Sequence, residues 1–170
     1  MNRSFDVQLQ VALRALGEVV APALGGAEKH VAEQLHLAMA TLSFVKTRLP
    51  EARRYYRMEL RSFMDLASVA AGLAQAAQPA GAAELLASVA AGSTLLADPE
   101  ADLADYDAAT RNLRDALTRL SHLCVGAACQ QDLDRLILDR AEAIMLQSRQ
   151  WCSPFGFELK PEDLPAPAWR

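Results

Sequence analysis

Apolar residues recur along most of this chain in steps of three and four, the spacing that lines one face of an α-helix. After Ser4, placed as an N-cap, Phe5, Leu9, Leu13, Leu16 and Val20 form a stripe that Pro22 and Gly25-Gly26 end. Val7 and Val11 point the other way, so this first helix is apolar on two sides, as in a central or interface helix. A second helix is expected from near Ala27. It carries Val31, Leu35, Ala38, Leu42, Val45 and Leu49 in alternating steps of four and three, the seam of a bundle. Leu49-Pro50-Glu51 closes it and opens a third helix, read to about Ala77.

A turn at Gln78-Pro79-Ala80-Gly81 leads into a fourth helix over about 82–96, with Leu85, Val89 and Leu96 inward. Asp98-Pro99-Glu100 reads as a restart, an aspartate cap followed by proline at the first position. The fifth helix then turns Leu103, Tyr106, Leu113, Leu117 and Leu120 inward until Gly126 breaks it. A sixth, over about 130–151, buries Leu133, Ile137, Ala141, Ile144 and Trp151.

After Ser153 the periodicity stops. Pro154, Pro161, Pro165 and Pro167 exclude a regular helix, yet Phe155, Phe157, Leu159, Leu164 and Trp169 are too apolar for a solvated linker. The pattern therefore predicts an all-α fold: a single-domain, mostly antiparallel bundle of about six helices over 1–152. A proline-rich extended tail over 153–170 would dock on the bundle or on a partner subunit. The heptapeptide LASVAAG occurs at 66–72 and again at 86–92, flanking the Pro79 turn. It reads either as a hairpin of closely approaching helices or as coincidence within a biased composition.

Composition sharpens this picture. Alanine supplies 33 of the 170 residues, which favours helix but buries little area per side chain, so the cores should be thin. A net charge of −4 argues against a nucleic-acid partner. Over 66–97 Glu84 is the only charge, but neither half carries the roughly 20 strongly apolar residues that span a bilayer, so no membrane partner is expected. Met1 to Ser4 leads into an amphipathic pattern rather than a secretory apolar region. Cys124, Cys129 and Cys152 are odd in number and imply no disulfide framework, which points to a reducing cytoplasm.

Side chains with chemical potential concentrate in PEARRYYRMELRSFMDL over 50–66. Arg53, Arg57 and Arg61, with Arg54 less tightly, gather on one side of the third helix, where they could bind phosphate or carboxylate groups. Tyr56, Glu59 and Phe63 gather on the other. A carboxylate on an apolar face needs a partner, and a tyrosine hydroxyl or Arg140 of the sixth helix is available to Glu59. The same residues, Tyr55, Tyr56, Glu59, Phe63 and Arg140, could instead line an interhelical ligand pocket.

Elsewhere the chemistry thins out. Glu33 and His36 form a Glu-x-x-His pair of the ferritin-like kind, but they face away from the seam. The last histidine, His122, has Arg119 where a second glutamate should be. His30 reads as a partly buried histidine, and Cys124 and Cys129 as packed thiols. The acids of 98–107 read as helix capping, without the glycine and terminal glutamate of a calcium loop. Phosphate loops and nucleophile elbows are absent from the sequence. The expectation is a non-catalytic helical interaction or accessory protein, homodimeric, free to take a protein partner, with no cofactor and no metal. A small-molecule binder or enzyme built around Glu59 is the alternative, and a degenerate ferritin-like metal-binding bundle the second alternative.

Overall fold

A computed structural model describes residues 4–26 and 28–170, and every described regular element is helical. Five long helices carry the fold, α2 (Lys29–Arg48), α3 (Ala52–Ala74), α4 (Pro79–Ala97), α5 (Leu103–Leu123) and α6 (Gln130–Cys152). The first of the six expected helices is only partly regular. α1 (Phe5–Ala15) passes into a π-helical stretch, Leu16–Val20, before one last turn at Ala21–Ala23. Here the Ala21 amide reaches back five residues to Leu16 O. Pro22 has no N–H to continue the regular ladder, and such wide turns accommodate that loss. The expected start of the second helix near Ala27 lies outside the described residues.

Contacts group the chain into two units, 1–51 with 149–166, and 52–148 with 167–170. In the first, α1 and α2 form an antiparallel hairpin. The Lys46 ammonium near the end of α2 approaches Asp6 at 3.8 Å and bonds to Gln10, both near the start of α1. A β-carbon on Gly17 would stand 3.3 Å from the Met39 methyl, so the helices touch closely there. This unit also holds an aromatic cluster: Phe44 stacks on Phe155 at 4.1 Å and meets the edge of Trp151 at 6.0 Å.

The second unit is an antiparallel bundle of α3, α4 and α5 with the body of α6. Its core joins Leu60, Leu66, Ala67, Ala70, Ala71 and Ala74 of α3 to Ala82 and Leu85 of α4. Tyr106, Leu113, Ala116, Leu117 and Leu120 of α5 and Leu133 of α6 complete it. Each large side chain covered this way contributes about 1.5–3 kcal/mol, while the alanines contribute mainly closeness. Two glycines sit where the helices come closest to neighbouring side chains. A β-carbon on Gly92 would lie 2.8 Å from Met64 Sδ, and one on Gly81 2.9 Å from Leu120 Cδ1.

The LASVAAG copies are not structurally equivalent. Leu66 is buried and its copy Leu86 is exposed, whereas Gly92 is buried and its copy Gly72 meets open space. The repeat is coincidental in packing terms. By length and composition α4 is apolar enough to cross a bilayer, contrary to the expectation for this stretch; Gly81, Ala82, Leu85 and Gly92 are buried within the bundle, while most of the helix is not.

Two further expectations need correction. The restart at Asp98-Pro99-Glu100 is a turn in which Asp98 Oδ1 accepts the Glu100 amide at 2.8 Å. Helix α5 begins later, capped by Asp102 with Asp105 returning a bond to the Asp102 amide at 2.9 Å. The C-terminal segment is not simply extended either. Pro154 and Pro161 sit in short 3-10 turns at Ser153–Phe155 and Pro161–Asp163, where a missing amide is tolerated, and Pro165 and Pro167 follow in irregular backbone.

Candidate functional site

The arginine-tyrosine stretch lies at the start of α3, and Tyr106 of α5 is the residue it converges on. Tyr106 is fully buried, and its hydroxyl accepts from Arg57 at 2.7 Å and from Arg53 at 3.5 Å. Both guanidinium groups also lie over its ring, 5.4 and 5.8 Å from the centroid. The remaining donors meet main-chain oxygens. Arg57 bonds to Leu96 O at 2.9 Å, and Arg53 to Pro99 O at 2.6 Å and Ala101 O at 3.2 Å. These carbonyls belong to the end of α4 and the turn after it, where a helix leaves acceptors unpaired and concentrates negative charge. Two of the three arginines read as anion ligands are therefore engaged by the chain itself. Arg61 is exposed, as is Arg54.

Glu59 sits one turn beyond Tyr55, whose hydroxyl donates to its Oε1 at 3.3 Å. Burial holds the Glu59 carboxyl above the usual carboxylate range, a rise opposed by the Tyr55 bond and by nearby Arg114. Burial likewise pushes the Tyr56 phenol up, with Asp107 and Glu59 adding to the effect. Phe63 lies beneath Arg114, 5.7 Å from guanidinium to ring centre. Tyr55 is buried, its ring edge-on to Tyr56 at 5.6 Å and to Trp169 at 5.1 Å.

The structure thus brings Tyr55, Tyr56 and Glu59 together but does not bring Arg140 to them. Arg140 lines a separate groove with Ser62, Asp65, Ala143, Ile144 and Gln147. At about 150 Å³ the groove is smaller than the pockets that enclose drug-sized ligands, about 300 Å³ and upward. Of the two partners offered to Glu59, a tyrosine hydroxyl and Arg140, the Tyr55 hydroxyl of the same helix is the one that bonds to it.

Glu33 is paired with Lys29 at 3.4 Å on an exposed face, and His30 approaches Glu28 at 3.2 Å. Among the described residues no three metal-ligating side chains gather.

Two constellations were not legible as such in the sequence. Arg48, at the last position of α2, is 4% exposed. It donates to Glu51 at 2.8 Å, Trp151 O at 2.8 Å, Ser153 Oγ at 3.2 Å and Gln150 O, and it lies over the Trp151 ring at 5.2 Å. A basic residue in a helix's last turn was the available signal, but its acceptors other than Glu51 lie about a hundred residues away. The second is the pair Cys124 and Cys129, both buried, with sulfurs 3.1 Å apart. No family model matches the sequence, and neither a curated protein nor a solved structure is significantly similar to it.

Proposed function

We propose that this chain is a non-catalytic, cytoplasmic helical interaction protein that self-associates as a homodimer through α2. The supporting observation is a bundle seam left open within one chain. Val31, Ala38 and Val45 recur at intervals of seven residues, the same heptad position, and all three are exposed; Val31 is 37% and Val45 38% accessible. Leu49, the seam's last member, is 42% exposed. Leu35 and Leu42, the intervening seam residues, are partly covered. The hairpin as a whole buries little: α1 has no buried residue and α2 only Arg48. Two helices with so thin a core gain stability by presenting a seam to two more, which makes a second copy of the same seam the natural occupant. A different protein partner is the other outcome of the test below.

Self-complementary seams of this kind are parallel or antiparallel pairings in which valine at the repeating position favours two strands. Sedimentation equilibrium of the full chain at micromolar concentration should give twice the 18.4 kDa chain mass. The double variant Val31→Asp/Val45→Asp should return it to a single chain mass while its helical circular dichroism is kept. A monomeric wild type would sink the homodimer, and a dimer that survives the double variant would sink the α2 seam. A ligand-binding role around Glu59 has less support, since Arg140 lines a groove of about 150 Å³ that does not include Glu59, Tyr55 or Tyr56.

A further inference from the structure

The turn between α5 and α6 carries two of the three cysteines, and it holds them in a defined arrangement. Cys124 caps the end of α5 and is completely covered; Cys129 precedes α6 and is 7% exposed. Their sulfurs are 3.1 Å apart, inside the contact distance of two unbonded sulfurs. The intervening backbone is pinned rather than loose. The Ala127 amide bonds to Cys124 O at 2.9 Å, the Gln130 amide to Ala127 O at 3.1 Å, and the Gly126 amide to the Gln130 side chain at 2.7 Å. Gly126 takes a φ of 77°, open to glycine without strain, and Gln78 ties down Leu123 O at 2.8 Å. Closing the pair to a bond of about 2.05 Å requires a sulfur displacement of about 1 Å, within the reach of side-chain rotation.

We propose that Cys124 and Cys129 form a reversible dithiol–disulfide couple, a redox modification site whose oxidant is a low-molecular-weight disulfide such as oxidised glutathione. The Cys129 thiolate attacks one sulfur of the small disulfide, forming a mixed disulfide and releasing one small thiolate that takes up a proton. Cys124 then loses its proton to solvent and attacks Cys129 Sγ. The bond between the two cysteines forms, and the second small thiolate leaves and is protonated. Two electrons and two protons have passed from the protein to the small disulfide, which becomes two thiols.

The order of attack follows from exposure and acidity. Cys129 is the less covered of the two, 7% exposed against none for Cys124. Burial and the adjoining Cys129 push the Cys124 thiol up to about 11, which leaves it a poor nucleophile toward external oxidants. Only a target already beside it compensates for that. Cys152 is exposed and on its own, so it would stop at a mixed disulfide.

The test uses the full chain carrying Cys152→Ser, equilibrated over a series of reduced-to-oxidised glutathione ratios, once folded and once unfolded in guanidinium. Acid quenching, alkylation and intact mass then count the thiols. The folded chain should lose the mass of two hydrogens, retain no alkylatable thiol, and close with an equilibrium constant about tenfold or more above that of the unfolded chain. In the double variant Cys124→Ser/Cys152→Ser the folded chain should hold a single glutathione adduct at Cys129. A folded chain that keeps both thiols, stops at an adduct, or closes less than tenfold more favourably than the unfolded chain overturns the couple. A double variant with no adduct overturns the assigned order of attack.

Discussion

Replacing Arg48 by methionine keeps the apolar stem and removes the guanidinium. Its hydrogen-bond acceptors include Glu51, Gln150 O, Trp151 O and Ser153 Oγ, at a site where Arg48 is 4% and the Glu51 side chain 15% exposed. Hydrogen bonds to charged groups contribute about 1.5–3 kcal/mol each, but the acceptors at the end of α6 partly recover water, so simple addition overshoots. The better guide is the loss on breaking a buried ion pair from one side, about 3–5 kcal/mol, since Glu51 remains behind as a largely buried charge. Arg48→Met should therefore destabilise by about 3–5 kcal/mol, a large share of a domain's typical 5–15 kcal/mol. Arg48→Lys should lose about half as much, because an ammonium satisfies Glu51 without forking to two carbonyls. Arg48→Met/Glu51→Gln should recover at least about 1 kcal/mol by removing the charge that has lost its Arg48 counterion. Urea unfolding supplies the free energies, and hydrogen exchange over 148–158 locates the loss. A Met variant within about 1 kcal/mol of wild type, or a double variant no more stable than the single, would refute the reasoning.

Other contacts make narrower predictions. Tyr106→Phe leaves the Arg57 donor without its acceptor in a buried setting and should cost about 1–3 kcal/mol in urea unfolding, with no change in helix content. For Glu59 the sign runs opposite to an ion pair. Its folded carboxyl titrates above the unfolded one, so its contribution is fully present below the ordinary carboxylate range and lost as pH rises through the raised value. Glu59→Gln keeps an acceptor for Tyr55 and escapes that loss. Its melting temperature should match or exceed wild type at pH 7, with any gap closing at pH values below the carboxylate range; a lower melting temperature at pH 7 contradicts this.

Much of the helical layout was readable from periodicity and punctuation. Leu49-Pro50-Glu51 does mark a break, as a 3-10 turn, and Pro79 occupies the first turn of α4. Leu66, Ala70, Leu85, Tyr106, Leu113, Leu117, Leu120 and Leu133 are buried where a helical stripe puts them. Boundaries failed where one signal outcompeted another. Asp98-Pro99 has the composition of a helix start, but the reciprocal Asp102–Asp105 bonds satisfy two amides at once and win. At the candidate site the sequence could offer Glu59 a tyrosine hydroxyl but did not single out Tyr55, one turn before it, which makes the bond. It could not identify Leu96 O, Pro99 O or Ala101 O as the partners of Arg53 and Arg57. A backbone carbonyl carries no residue label, so an arginine that binds one looks identical to an arginine that binds solvent.

That blind spot has a physical regularity behind it. An alanine-rich helix packs closely but presents little apolar area, so its ends are weakly held by burial. Within the bundle unit, Arg53 and Arg57 of α3 answer this at the end of α4, where carbonyls are unpaired and the macrodipole is negative. Within the hairpin unit, Arg48 does the same for the last residues of α6. In both places one guanidinium satisfies several acceptors and covers an aromatic ring, Tyr106 in one case and Trp151 in the other. Lysine could supply the charge but not the fork or the flat face. The cluster of arginines that first suggested anion binding is thus better understood as helix-end closure, directed at the chain's own partial negative charge. The same reasoning sets Arg61 apart: it is exposed and lies further along α3, away from the end of α4 that Arg53 and Arg57 close.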